Sequence, residues 1–144
     1  MSYSTERKAI EKYLLRYWGE RTPIGFDGHE FEPTSESIRL TIQNGQAFQG
    51  SIGGTTNRID YTGLIQIQIF TDGGKGTNAW RQHAEELDTL FHDKRLNDKG
   101  AVATTDTFIR FSPDQQHPYI SAEISDIPFH IATFNAPFVR YEYK

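Results

Sequence analysis

Few residues in this chain are of a type and spacing that could do chemistry. The loop Gly73-Gly74-Lys75-Gly76-Thr77 sits between an alternating apolar stretch and an amphipathic one, so phosphate binding is the first function to test. A phosphate-binding loop needs Gly, four residues, then Gly-Lys-Ser/Thr, so that backbone N–H groups cradle the phosphates and the lysine reaches them. Here Gly76 follows Lys75 and no glycine stands at the required distance before Gly74. The loop reads as a tight turn, with no nucleotide expected. Gly50-Ser51-Ile52-Gly53 has a faint likeness to a nucleophile elbow, but that motif requires Gly two residues before the serine and position 49 is Gln. The histidines are His29, His83, His92, His117 and His130, and none is spaced from another as metal ligands are. Asp88 and His92 are i, i+4 on a predicted helix and could share a metal or a hydrogen bond; with no second ligand pair they read as a surface pair. Glu85-Glu86 could offer a carboxylate base, but the polar face of an amphipathic helix accounts for them. Asp93-Lys94-Arg95 and Asp98-Lys99 mix signs and read as solvated surface. No catalytic residue, metal or cofactor is expected.

The elements that would position these residues centre on positions 61–91. In 64–70, Ile65, Ile67 and Ile69 alternate with Gln66 and Gln68, the period of a half-buried strand. Asp72-Gly73-Gly74 ends it. Thr77 or Asn78 can cap a helix whose Trp80, Ala84, Leu87 and Phe91 share one face. Lys94 and Arg95 follow its last turn, where positive charge suits the helix dipole.

Upstream, Ser4 or Thr5 can cap a first helix running to about Trp18, with Tyr3, Ile10, Leu14 and Tyr17 as its apolar stripe and Gly19 as its stop. Arg21-Thr22-Pro23-Ile24-Gly25 reads as loop or a short extended piece, Phe26-Asp27-Gly28-His29 as a turn, and Glu32-Pro33 closes the segment. In 37–43, Ile38, Leu40 and Ile42 alternate with polar residues, and Asn44-Gly45 is a strong hairpin signal. A two-residue loop would pair Ile42 with Ala47, Leu40 with Gln49 and Ile38 with Ser51. A three-residue loop pairs Ile42 with Phe48, Leu40 with Gly50 and Ile38 with Ile52 and keeps Phe48 on the apolar face, so an odd loop or a nearby bulge is expected, although Gly45 is better placed for a two-residue turn. Positions 51–57 are Gly-rich and polar, so a mobile loop is expected. Downstream come a turn at 97–100, a strand over 105–111, a loop over 112–118, and a strand with Ile120, Ala122 and Ile124 on one face. Pro128 bends or edges that strand. Positions 137–144 are too aromatic for an idle end. The order predicts an α+β fold, a mainly antiparallel sheet packed on one face by two helices, in a single domain spanning 1–144.

Composition bounds the function. The 144 residues suffice for a real core. The absence of cysteine excludes disulfides and thiol catalysis and fits a reducing compartment. A net charge of −4 argues against a nucleic-acid binder. There is no apolar run of membrane-spanning length and no signal-peptide core, so synthesis and use in a cytoplasm are expected.

The ordered features resemble the tail-terminator-like proteins of long-tailed phages and prophages, the lambda type. They are the first helix ending in Tyr17-Trp18; Thr22-Pro23-Ile24 leading to Phe26-Asp27 and Phe31-Glu32-Pro33; the strand Ile38-Arg39-Leu40-Thr41-Ile42; the Gly-rich region 46–53; Arg58 before Tyr61-Thr62-Gly63-Leu64-Ile65; the strand ending Ile69-Phe70; and the loop 73–76 opening a helix through Ala79. The resemblance implies a virion structural protein without catalytic residues. It implies a homo-oligomeric ring, usually a hexamer, that caps the tail tube, stops its polymerisation and offers a head-joining surface. Its partners would be its own copies, the tail tube protein and a head-completion protein, with DNA passing through the lumen without specific binding. Made in the host cytoplasm, it would end in the virion tail.

Ring closure needs one surface of a subunit to meet a different surface of the next. The expected candidates are Gly50, Ser51, Gly53, Gly54 and Thr55 in the polar loop, and Phe138, Tyr141 and Tyr143 in the aromatic tail. Other readings stay open. Another head–tail or tail-tube component would be told apart by open polymerisation, a small hydrolase using Asp88 and His92 by a metal screen, and a ligand-binding domain by a deep apolar pocket.

Overall fold

Apolar alternation builds one sheet, and two amphipathic stretches cover one of its faces. The computed structural model describes residues 3–19, 21–26, 28, 30, 32–34, 36–51, 53–54, 56–73, 78–103, 105, 107–126 and 129–143. Asp27, His29, Phe31, Ile52, Thr55, the loop residues 74–77 with the cap Thr77, and Pro128 lie outside them. The elements are α1 (Tyr3–Trp18), β1 (Ile24–Gly25), β2 (Ser37–Gln49), β3 (Arg58–Asp72), α2 (Asn78–Phe91), β4 (Arg95–Leu96), β5 (Ile109–Phe111), a 3-10 turn (Pro113–Gln115), β6 (Tyr119–Asp126) and β7 (Phe129–Tyr143). The sheet has seven strands in the order β1-β2-β3-β7-β5-β4, with β6 on the other half of the β7 edge. β1 runs parallel to β2, and every other pairing is antiparallel. The fold is α+β, as the periodicities predict.

The face toward the helices is the core. Ile38 and Leu40 pair with Ile69 and Ile67, which pair in turn with Ala132 and Phe134, and all six are buried. Trp80, Leu87 and Phe91 of α2 are buried on this face with Ala84 packed beside them, as their spacing predicts. From α1 come Ala9, Ile10, Tyr13, Leu14 and Trp18. The predicted stripe was therefore rotated: Ile10 and Leu14 are core, whereas Tyr3 and Tyr17 are half exposed. Tyr13 packs on Phe91 and Phe111, and its hydroxyl donates to the Leu90 carbonyl, which ties the two helices together. Burial and the neighbouring Tyr17 raise the Tyr13 pKa to about 12. The opposite face carries a polar ladder, in which Gln43 donates to Gln66 (2.7 Å) and Gln66 to Asn135 (3.1 Å).

The expected hairpin at Asn44-Gly45 does not form. β2 runs straight through it and pairs with β3, so Ile42 lies opposite Ile65 and Phe48 opposite Asp60. Asn44 pairs with Gly63 and Ala47 with Tyr61, so two residues, Gly45 and Gln46, oppose the single Thr62. Asn-Gly here makes a bulge instead of a turn. A Cβ on Gly45 would lie 2.7 Å from Thr62 Oγ1, and that hydroxyl donates to the Gln46 carbonyl at 2.7 Å. The bulge reverses the alternation, so Phe48 is turned away from the core and is 55% exposed. A second irregularity, between Ile120 and Ala122, puts Ile120 opposite Phe134 but Ile124 opposite Ile131, so the two isoleucines do not share a face.

Candidate interaction surface

Arg58 opens β3 and organises the end of the sheet where β2 turns back. Its carbonyl accepts from Gly50 N–H (2.7 Å) and its own N–H donates to Ser51 Oγ (2.8 Å). The guanidinium donates to the Gly50 carbonyl and, through Nε and Nη2, to both Asp60 oxygens. Its flat face lies 4.9 Å from the centre of the Tyr141 ring. Gly50 and Ser51 are thus held by backbone and side-chain bonds and are less free than their composition suggested. Gly53 and Gly54 both sit at φ +90°, a conformation open to glycine and strained for other residues. Thr55, the fifth loop candidate, lies outside the described residues.

The tail candidates divide. Phe138 is 1% exposed and belongs to the core, where its ring lies over Gly63, so its side chain has no surface to offer a neighbour. Tyr141 is half-buried against Arg58, and Tyr143, opposite Arg58 in the sheet, is 67% exposed. Because β7 pairs with β3 along its whole length, the tail and the polar loop come to the same end of the sheet. Two segments expected to serve as separate surfaces form one.

Residues that the sequence did not offer as interface candidates, Phe48, Arg58, Asp60, Arg95 and Arg110, complete it. The register puts Phe48, Asp60 and Tyr141 in one row across three strands on the face away from the helices. Arg95 pairs with Arg110 and Arg110 with Val139, which brings both arginines to that face. With Arg58, Thr107, Tyr141 and Tyr143 they line a hollow of about 380 Å³. Arg110 Nε is buried without a hydrogen-bond partner. Arginine beside exposed Tyr and Phe is the composition that protein interfaces favour.

Behind this surface, on the helix side, a buried ion pair locks α1 to the end of β7. Arg140 is 0% exposed, and its Nε donates to Glu6 at 3.0 Å and its Nη1 to Glu142 at 2.7 Å. Its guanidinium carbon lies 4.8 Å from the Tyr3 ring centre and 4.1 Å from that of Tyr61. Burial alone would lower its pKa, but hydrogen bonds to Glu142 and Glu6 outweigh that and raise it. The other Glu6 oxygen accepts from Asn44 at 2.8 Å, so the bulge is tied to the same pair.

The residues weighed for chemistry stay apart. Among the described residues no group of three or more His, Cys, Asp and Glu side chains converges as metal ligands would. His92 stacks on His117, with ring centres 4.7 Å apart, a pairing that no sequence spacing announces. His83 is buried, accepts from Arg21 Nε at 3.2 Å, and stacks edge-on to Trp18. Burial and Arg21 lower its pKa, against a smaller opposing pull from Glu36 and Glu86. Among the described residues no helix is long and apolar enough to cross a membrane.

Comparison with known proteins points in one direction. A family model described as "Phage tail terminator protein" matches residues 7–128. No curated protein matches the sequence. Among solved structures, one that carries no descriptive name is similar over 100% of this chain and 99% of its own, with a TM-score of 0.72 at 20% identity, a likeness of fold alone.

Proposed function

The chain belongs to the phage tail terminator family, and from that premise we propose that it caps the head-proximal end of a tail tube as a closed homo-oligomeric ring, a hexamer. The ring stops tube polymerisation and presents the surface to which the head joins. Its partners are its own copies, the tail tube protein and a head-completion protein. The role is structural, without catalysis or a cofactor, and its place is the virion tail. The family match over residues 7–128 is the observation that carries this reading.

The interface composition at the sheet end supports it. Gly50, Ser51, Gly53 and Gly54 form the loop, and Tyr141 and Tyr143 stand beside it with Arg58 between. A ring requires heterologous contacts, so this one surface meets a different one on the next subunit. The net charge of −4 suits a lumen through which DNA slides without being gripped. Negative-stain microscopy of concentrated protein, alone and with tail tube protein, tests the reading. Closed rings of uniform size, seated on tube ends, are expected. Open filaments of the chain itself would instead make it a tube-type subunit.

A further inference from the structure

Three arginines and three glutamates stand at opposite ends of the long strands. At the end described above, Arg58, Arg95 and Arg110 surround a hollow, and among the described residues no carboxylate pairs with Arg95 or Arg110. At the other end, Glu30, Glu32 and Glu36 stand exposed in the connection that leads into β2. Glu36 lies 3.7 Å from His83 Nε2 and Arg21 is engaged by Glu86, whereas among the described residues no base pairs with Glu30 or Glu32. β2 separates the two ends by 13 residues, or roughly 40 Å of extended chain.

We propose that the arginine hollow of one copy receives the carboxylates of Glu30 and Glu32, with Glu36 beside them, from a second copy. The inference rests on the ring reading and names the two different surfaces which that reading needs. A contact between opposite ends of the long strands is heterologous by construction, because neither end can serve as its own partner. The hollow suits a carboxylate: planar guanidinium groups bind carboxylates through paired N–H donors, and three guanidinium side chains line it, that of Arg95 at an exposed position. Tyr143, which lines it, and Phe48, in the same row as Asp60 and Tyr141, are exposed apolar surface on this face that can exclude water around the ion pairs. Duplex DNA is the less fitting occupant. One of the three arginines is already held by Asp60, the chain is acidic, and a phosphate backbone calls for a longer basic track.

The test is self-association of the full chain by sedimentation velocity across concentration, at low and high salt. Arg95→Glu with Arg110→Glu reverses one end, and Glu30→Lys with Glu32→Lys reverses the other. Arg95→Glu alone, at an exposed position, guards against a folding defect in the double variant. Each reversed protein should self-associate ~10-fold or more weakly than wild type. An equimolar mixture of the two should recover association, because opposite charges meet again. High salt should weaken the wild type. Unchanged association in both reversed variants, or no recovery on mixing, would overturn the contact while leaving the ring to be closed by other surfaces. A wild type that stays monomeric throughout would also overturn this contact, and the terminator role is then judged separately on tails. Binding of a short DNA duplex that Arg95→Glu with Arg110→Glu abolishes, without any change in self-association, would assign the hollow to nucleic acid instead.

Discussion

Removing the Glu6 carboxylate should unlock α1 from the sheet. In Glu6→Ala, Arg140 loses its Nε acceptor and Asn44 its partner, while Arg140 stays fully buried. Breaking one side of a buried ion pair typically costs about 3–5 kcal/mol, because the remaining charge is left desolvated. Here Arg140 keeps Glu142 and the faces of Tyr3 and Tyr61, which cushion the charge, so the lower bound of about 3 kcal/mol is expected. For a chain of this length that corresponds to about 9 °C in Tm. The reverse variant, Arg140→Met, leaves a buried carboxylate with only Asn44 and should cost at least as much. The double variant Glu6→Leu with Arg140→Met removes both charges and should be far less damaging than the sum, because no charge is then stranded. Urea melts of wild type, Glu6→Ala, Glu6→Leu, Arg140→Met and the Leu/Met double variant check this. A loss below about 1 kcal/mol for Glu6→Ala, or additive losses in the Leu/Met cycle, would refute the argument that the pair is a desolvated lock.

Leu87→Ala should cost about 2–5 kcal/mol in denaturant melts, since Leu87 is 0% exposed beneath α2. Gly63→Ala should destabilise by about 1–3 kcal/mol, because its Cβ would stand 2.3 Å from Phe138 Cζ inside a packed core; a neutral result would show that the Phe138 ring can move aside. His83 gives a pH prediction. Its folded pKa lies below the ordinary 6.5, so as pH falls from 6.5 toward that value the unfolded state takes up more protons and stability is lost. His83→Gln should flatten that part of the stability–pH curve, and an unchanged slope would assign it to other groups.

Much of the fold was legible because period and burial agree. Ile65, Ile67 and Ile69 gave the central strand, and Trp80, Leu87 and Phe91 gave the face of α2, as each side chain must leave water on a regular period. What the sequence hid were the places where that period breaks. Asn44-Gly45 has the chemistry of a turn, but the long alternating partner 58–72 offers β2 more pairing than a short hairpin would, and the glycine is used for close approach to Thr62. That one bulge moved Phe48 from predicted core to surface. The buried Glu6–Arg140 pair joins residues 134 positions apart, and no local pattern announces such a contact. For the same reason Arg58, Arg95 and Arg110 were not seen as one group, since three separate strands bring them together. Among the interface candidates, aromatic content alone could not separate Phe138, which packs inward, from Tyr143 five positions on, because parity along β7 decides which way each points.

The most direct measurement adds the purified chain to tails assembled without their terminator, then counts tube lengths and joined heads by electron microscopy. Tubes that stop at a uniform length, with heads attached, are expected. Tubes that keep growing, and heads that still fail to join with folded protein in excess, would contradict the capping role.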